Sequence, residues 1–79
     1  MTVFSSLVRG EAKENRTPLA QAMIDARLEA GLLQRDMAQL MATTQSTIAR
    51  LESGRDLPLV ATLEQWAKVT GKQLEIRFV

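Results

Sequence analysis

The sequence predicts an all-α domain of four to five short helices, closed by a short C-terminal β-strand. Three observations carry this expectation. Apolar residues recur at three- and four-residue steps through the middle of the chain, so that Met37, Ala38 and Met41 share one helical face, as do Ile48 and Leu51, and Leu63, Trp66, Ala67 and Thr70. Helix-start and helix-stop residues punctuate these runs: Thr17-Pro18 and Thr44 at starts, Gly31, Gly54 and Gly71 at stops. From Gln73 the period changes to two, with Leu74, Ile76 and Phe78 alternating against Gln73, Glu75 and Arg77.

Taken in order, residues 1–16 read as an arm or short helix, in which Phe4, Leu7 and Val8 share a helical spacing ahead of the polar run GEAKENR. Residues 17–71 form the main domain. Its first helix runs from about Pro18 to Ala30, capped by the Thr17 hydroxyl, with Leu19, Met23, Ala26 and Ala30 on its inner face. Ile24 and Leu28 make a second apolar stripe on this helix. Either the arm folds back over that stripe through Phe4, Leu7 and Val8, or the stripe is a docking patch for a partner.

The second helix spans about Gln34 to Met41, where small Ala38 allows another helix to approach. A turn at Ala42-Thr43 leads to a third helix, about Gln45 to Glu52, capped by Thr44. Gln45, Ser46, Ala49 and Arg50 lie on its outward side. Two short helices joined by a tight turn, with polar side chains outward on the second, are the layout of a helix-turn-helix DNA reader. After a loop at Arg55–Leu59 comes a fourth helix, about Val60 to Thr70, and residues 72–79 supply the strand. A lone strand leaves its own N–H and C=O groups unpaired, and a twin strand from a second copy is the simplest partner.

Composition narrows the function classes. A chain of 79 residues buries only roughly 60% of the surface its unfolded form exposes. With no Cys and no His, disulfide and metal staples are closed to it, so self-association is favoured. The absence of cysteine suits a reducing cytoplasm, and the sequence contains neither a membrane span nor a secretory signal. Without His, Cys or Tyr, and without a glycine-rich phosphate loop, catalysis, a cofactor and a metal centre are not expected. The formal net charge is only +1. Arg35, Arg50 and Arg55 are balanced by Asp36, Glu52 and Asp56 across the reader, so a positive face must come from placement rather than totals.

The stretch GLLQRDMAQLMATTQSTIARLESG, followed by LP and a Trp-containing helix, resembles the Cro/C1 (Xre) family of helix-turn-helix regulators. The resemblance covers about Pro18 to Gly71, with Gly31, Gln34, Ala38, Gln45, Ile48, Leu51, Glu52, Gly54 and Pro58 at the family's usual positions. It implies a lambda-repressor-like fold, a homodimer, and double-stranded DNA with a palindromic operator as partner. It implies that Thr44, Gln45, Ser46 and Arg50 face base edges, most of all Gln45 and Arg50, while Gln34 clamps a phosphate. Thr47 would touch phosphate or base, and Arg55 would reach phosphate or remain solvated. Arg27 and Glu52 match a structural ion pair that sets the angle of the reader helix. The chain departs from the pattern at Leu33 and Leu59, where a hydroxyl usually caps a helix, and at Ala42, where the turn commonly has Gly.

A looser resemblance concerns the flanks. An F-x-x-L arm before the domain and L-E-I-R-F after it look like antitoxins of the HigA-like and HipB-like groups. That likeness implies a C-terminal strand pairing across the dimer axis, with Leu74, Ile76 and Phe78 in dimerisation, while Trp66, on the apolar face of the fourth helix, packs in the core or joins the dimer interface. It also implies a toxin partner, with Phe4, Leu7, Val8, Ile24 and Leu28 as toxin or arm contacts. The expected function is then a transcriptional repressor that regulates its own operon and neutralises a toxin. The alternatives are a stand-alone phage- or plasmid-type repressor and an interaction module without DNA binding.

Overall fold

The computed structural model describes residues 17–79 and places four α-helices along them: α1 (Pro18–Glu29), α2 (Gln34–Leu40), α3 (Gln45–Ser53) and α4 (Val60–Thr70). Their ends follow local chemistry. Thr17 accepts a hydrogen bond from the Ala20 N–H (3.0 Å) to start α1, and Thr44 accepts from the Thr47 N–H (3.1 Å) to start α3. Leu33 and Leu59 stand at the corresponding positions of α2 and α4 and offer no oxygen. At α2 half of a capping box survives, because the Asp36 carboxylate accepts from the Leu33 N–H at 2.8 Å.

Helix α2 packs against α3, and α1 packs against both α3 and α4. Between them lies a core of Met23, Met37, Ala38, Met41, Ile48, Leu51, Leu63 and Trp66. Met37 and Ile48 are fully enclosed at its centre, and burial of a side chain of that size contributes about 1.5–3 kcal/mol. Three flexible methionines fill the irregular space between short helices that cross one another.

The inner face of α1 differs from the expected one. Its buried residues are Ala20, Met23, Ile24 and Arg27, whereas Leu19 and Ala30 are exposed. The cause is Arg27, a charged residue on the buried stripe, which a pattern of apolar residues passes over. Nor do Ile24 and Leu28 form one exposed stripe. Ile24 is 9% exposed and Leu28 58%, since four residues advance a helix by a full turn and about 40° more. Phe4, Leu7 and Val8 lie outside the described residues.

Of the two places open to Trp66, the core and the dimer interface, it takes the core. It is 2% exposed within this single chain, and its indole Nε1–H donates to the Met23 carbonyl at 3.0 Å, locking α4 onto α1. It has no surface left for a dimer partner. After Gly71, Leu74 packs against the core, while Ile76 and Phe78 remain exposed. The β-strand expected over residues 72–79 is not seen: among the described residues none lies in a strand.

The turn between α2 and α3 carries strain. Ala42 adopts φ 54°, the left-handed region, while the Thr43 N–H reaches back to the Ala38 carbonyl (2.8 Å) to close α2. Each L-residue in that region costs roughly 1–2 kcal/mol. The substitution Ala42→Gly is therefore expected to raise stability by about 0.5–1 kcal/mol after allowance for glycine's greater freedom when unfolded. Urea unfolding should show a higher midpoint with an unchanged slope, and a lower midpoint would disprove the assignment of strain.

Candidate nucleic-acid interface

Helix α3 is held from beneath and bare above. Ile48, Leu51 and Glu52 point inward and are buried, while Gln45, Ser46 and Arg50 are exposed on the opposite side, together with the capping residue Thr44. Thr47 is half-buried, and its hydroxyl lies 3.0 Å from that of Thr44. The first turn of α3 contains no acidic residue, so the partial positive charge of the helix start is not cancelled.

The frame beneath is a buried ion pair with a polar collar. Arg27 Nε donates to Glu52 Oε2 at 2.6 Å and Arg27 Nη2 donates to Oε1 at 3.1 Å, a two-pronged contact between side chains that are almost wholly enclosed. The third guanidinium nitrogen, Nη1, donates to the Leu32 carbonyl at 2.7 Å. Gln34 Nε2 donates to Glu52 Oε1 at 3.1 Å. One carboxylate thus joins α1, the start of α2 and the end of α3, and Arg27 adds the loop between the first two. Gln34, expected at a phosphate, is engaged with Glu52 in the isolated chain.

These pairings also decide the charge of the face. Glu52 is neutralised by Arg27 inside, and Asp36 is turned to the Leu33 N–H at the start of α2. Arg50 Nε donates to Asp56 Oδ2 at 3.1 Å. Arg35 and Arg55 are exposed, and among the described residues neither has a carboxylate within ion-pair distance. A segment with balanced totals therefore carries two cations without an ion-pair partner among the described residues, one early in α2 and one just after α3. Sequence reading passed over two participants here. Arg35 entered only the charge tally, although its place beside Gln34 marked it, and Asp56 was counted as a loop acid.

A family model described as helix-turn-helix matches residues 23–76, about two thirds of the chain. The matched span begins within α1, covers the whole of α2, α3 and α4, and ends in the segment after Gly71. No curated protein matches the chain.

Proposed function

The chain belongs to the Cro/C1-type helix-turn-helix family of DNA-binding regulators, and from that premise we propose that it acts as a dimeric repressor reading a palindromic operator. That family comprises regulatory domains rather than enzymes. Among the described residues no helix is long and apolar enough to cross a membrane, and no group of acidic residues could hold a metal ion.

The observation that carries the proposal is the exposed polar side of α3, fixed from below by the Arg27–Glu52 pair. On this reading Gln45 takes an adenine edge and Arg50 a guanine edge, with Thr44 and Ser46 beside them. Thr47 and Arg55 contact phosphates, joined by Arg35. Gln34 joins them as well, since its Nε2 keeps a second hydrogen beyond the one given to Glu52.

Dimerisation is supported by the C-terminal segment, where Ile76 is 58% exposed and Phe78 and Val79 are fully exposed. Pairing with a second copy would satisfy the backbone of residues 72–79 and cover these side chains. It would set the two α3 helices about one DNA turn apart, roughly 34 Å. Within this reading the repressor is the antitoxin of a type II toxin-antitoxin operon, which controls its own transcription and binds its toxin away from α3. Exposed Leu28 and the LEIRFV ending support that role. Co-expression with the adjacent reading frame separates it from a stand-alone repressor: the antitoxin co-purifies with a second protein of defined mass, and the repressor is recovered alone.

DNA reading itself is tested by titrating the purified chain against a duplex selected from a random pool. With Arg35 and Arg55 of both protomers neutralising about four phosphates per dimer, affinity should fall by about a hundredfold between roughly 50 and 200 mM salt. A symmetric selected sequence is the expected product, and equal binding to selected and unselected duplexes at moderate salt would overturn the proposal.

A further inference from the structure

We propose that Asp56 is a positioning residue for Arg50, one that presents a single edge of the guanidinium and so restricts it to guanine. The proposal rests on the reading of α3 as the DNA-contacting helix. The backbone brings the two residues together. Gly54 takes φ 82°, the Arg55 N–H donates to the Arg50 carbonyl at 3.2 Å, and the Ser53 hydroxyl donates to the same carbonyl at 2.9 Å. The chain thereby reverses, and Asp56 returns alongside the helix turn that carries Arg50.

There Asp56 Oδ2 accepts from Arg50 Nε at 3.1 Å, and Oδ1 accepts from Nη2 at 3.5 Å. Nε and Nη2 form the side edge of the planar guanidinium. Occupying that edge leaves the end edge, made of Nη1 and the outer hydrogen of Nη2, with two parallel donors. Guanine offers two acceptors at matching separation, O6 and N7, whereas adenine offers one acceptor and one donor. A carboxylate on the side edge therefore selects the arrangement that discriminates best between the two purines.

Stability does not explain the pair. The side chains are 59% and 41% exposed, and ion pairs of that kind contribute little to folding. Asp56 moreover places a negative charge beside a face proposed to meet phosphates. Its removal should thus strengthen binding to DNA of any sequence while weakening the choice of base, two effects of opposite sign that a purely structural residue does not produce together.

The test uses the wild-type chain and the variants R50A, D56A, D56N and D56E. Each is titrated on the duplex selected by the wild type, on its four single-base versions at every half-site position, and on a random duplex. The wild type should prefer guanine at one position of each half-site, and R50A should lose that preference. D56A and D56N should lose about tenfold of the guanine preference while binding the random duplex at least as tightly as the wild type. D56E, with its carboxylate retained, should recover part of it. Full guanine preference in D56N overturns the proposal, as does a change equal for all four bases or tighter binding of the selected duplex with preference intact. Guanine preference that survives R50A overturns it too, while leaving DNA reading by other residues of α3 standing. A wild type with no base preference overturns both this proposal and the reading on which it rests.

Discussion

A chain in which Gln45 and Arg50 are both changed to Ala should keep its fold and lose its sequence preference. Each bidentate side-chain contact to a base edge is worth about 1–3 kcal/mol of discrimination, so removing two from each half of a dimer lowers the selected-over-random ratio by nearly a thousandfold or more. The phosphate contacts are untouched, so binding to random DNA should weaken only by what the lost charge of Arg50 contributes, far less than the loss on the selected duplex. Folding should also change little. Gln45 and Arg50 are both exposed on α3, Ala is the better helix former, and substitutions at such positions usually stay within about 0.5 kcal/mol. Thermal unfolding and duplex titration on the same preparation check the two halves of this expectation. A variant that folds normally and keeps the full ratio would mean that residues other than Gln45 and Arg50 read the DNA, whereas a wild type that shows no such ratio would favour the pure interaction module.

How far the sequence alone could lead is clearest at the helix ends. The sequence predicts Val60–Thr70 as it stands and the other three helices to within a residue at their C-terminal ends, because the Thr caps of α1 and α3 and a Gly or left-handed residue after each helix act within a few residues of the end they define. The inward positions of α2 and α3 were equally visible, since bulky apolar residues alternate there with polar ones at helical spacing. On α1 the same reasoning gave the wrong face. Two of the four residues assigned inward were one alanine and one leucine at the helix margins, while Arg27, the most consequential inward residue, carries a charge. Its burial makes sense only with Glu52, a residue 25 positions away.

Trp66 shows a different limit. An aromatic residue on an apolar helix face suits a core and a dimer seam equally, and only the bond from its indole N–H to the Met23 carbonyl decides between them. The partner of Arg50 was hidden for a third reason. No periodicity links positions 50 and 56, and their meeting follows from the reversal at Gly54. The family resemblance points to the Arg27–Glu52 pair, which is present, whereas nothing in the sequence points to the pair of Arg50 and Asp56.

The second large effect concerns the first of these pairs. Changing Glu52 to Ala should destabilise the domain by about 3–5 kcal/mol, because it strands the buried Arg27 guanidinium, which loses two of its three hydrogen bonds. Gln34 loses its carboxylate partner at the same time. A chain of 79 residues has a total stability of roughly 4–12 kcal/mol, so this one carboxylate accounts for about a quarter of it or more. A fall in melting temperature of at least about 12 °C is expected. The informative control is the double change Arg27→Met with Glu52→Leu. Replacing both charges by apolar groups of similar size removes the stranded cation, and such exchanges are often neutral or stabilising. The double variant should therefore melt close to the wild type. It should nevertheless bind its selected duplex more weakly, since Leu at position 52 cannot hold Gln34, and the forked contact that fixes α3 against α1 is gone. If Glu52→Ala melted within about 3 °C of the wild type, under the shift expected for 1 kcal/mol in a domain this small, the ion pair would not be what holds the reader helix in place. If the double variant kept full affinity, packing alone would suffice to aim it.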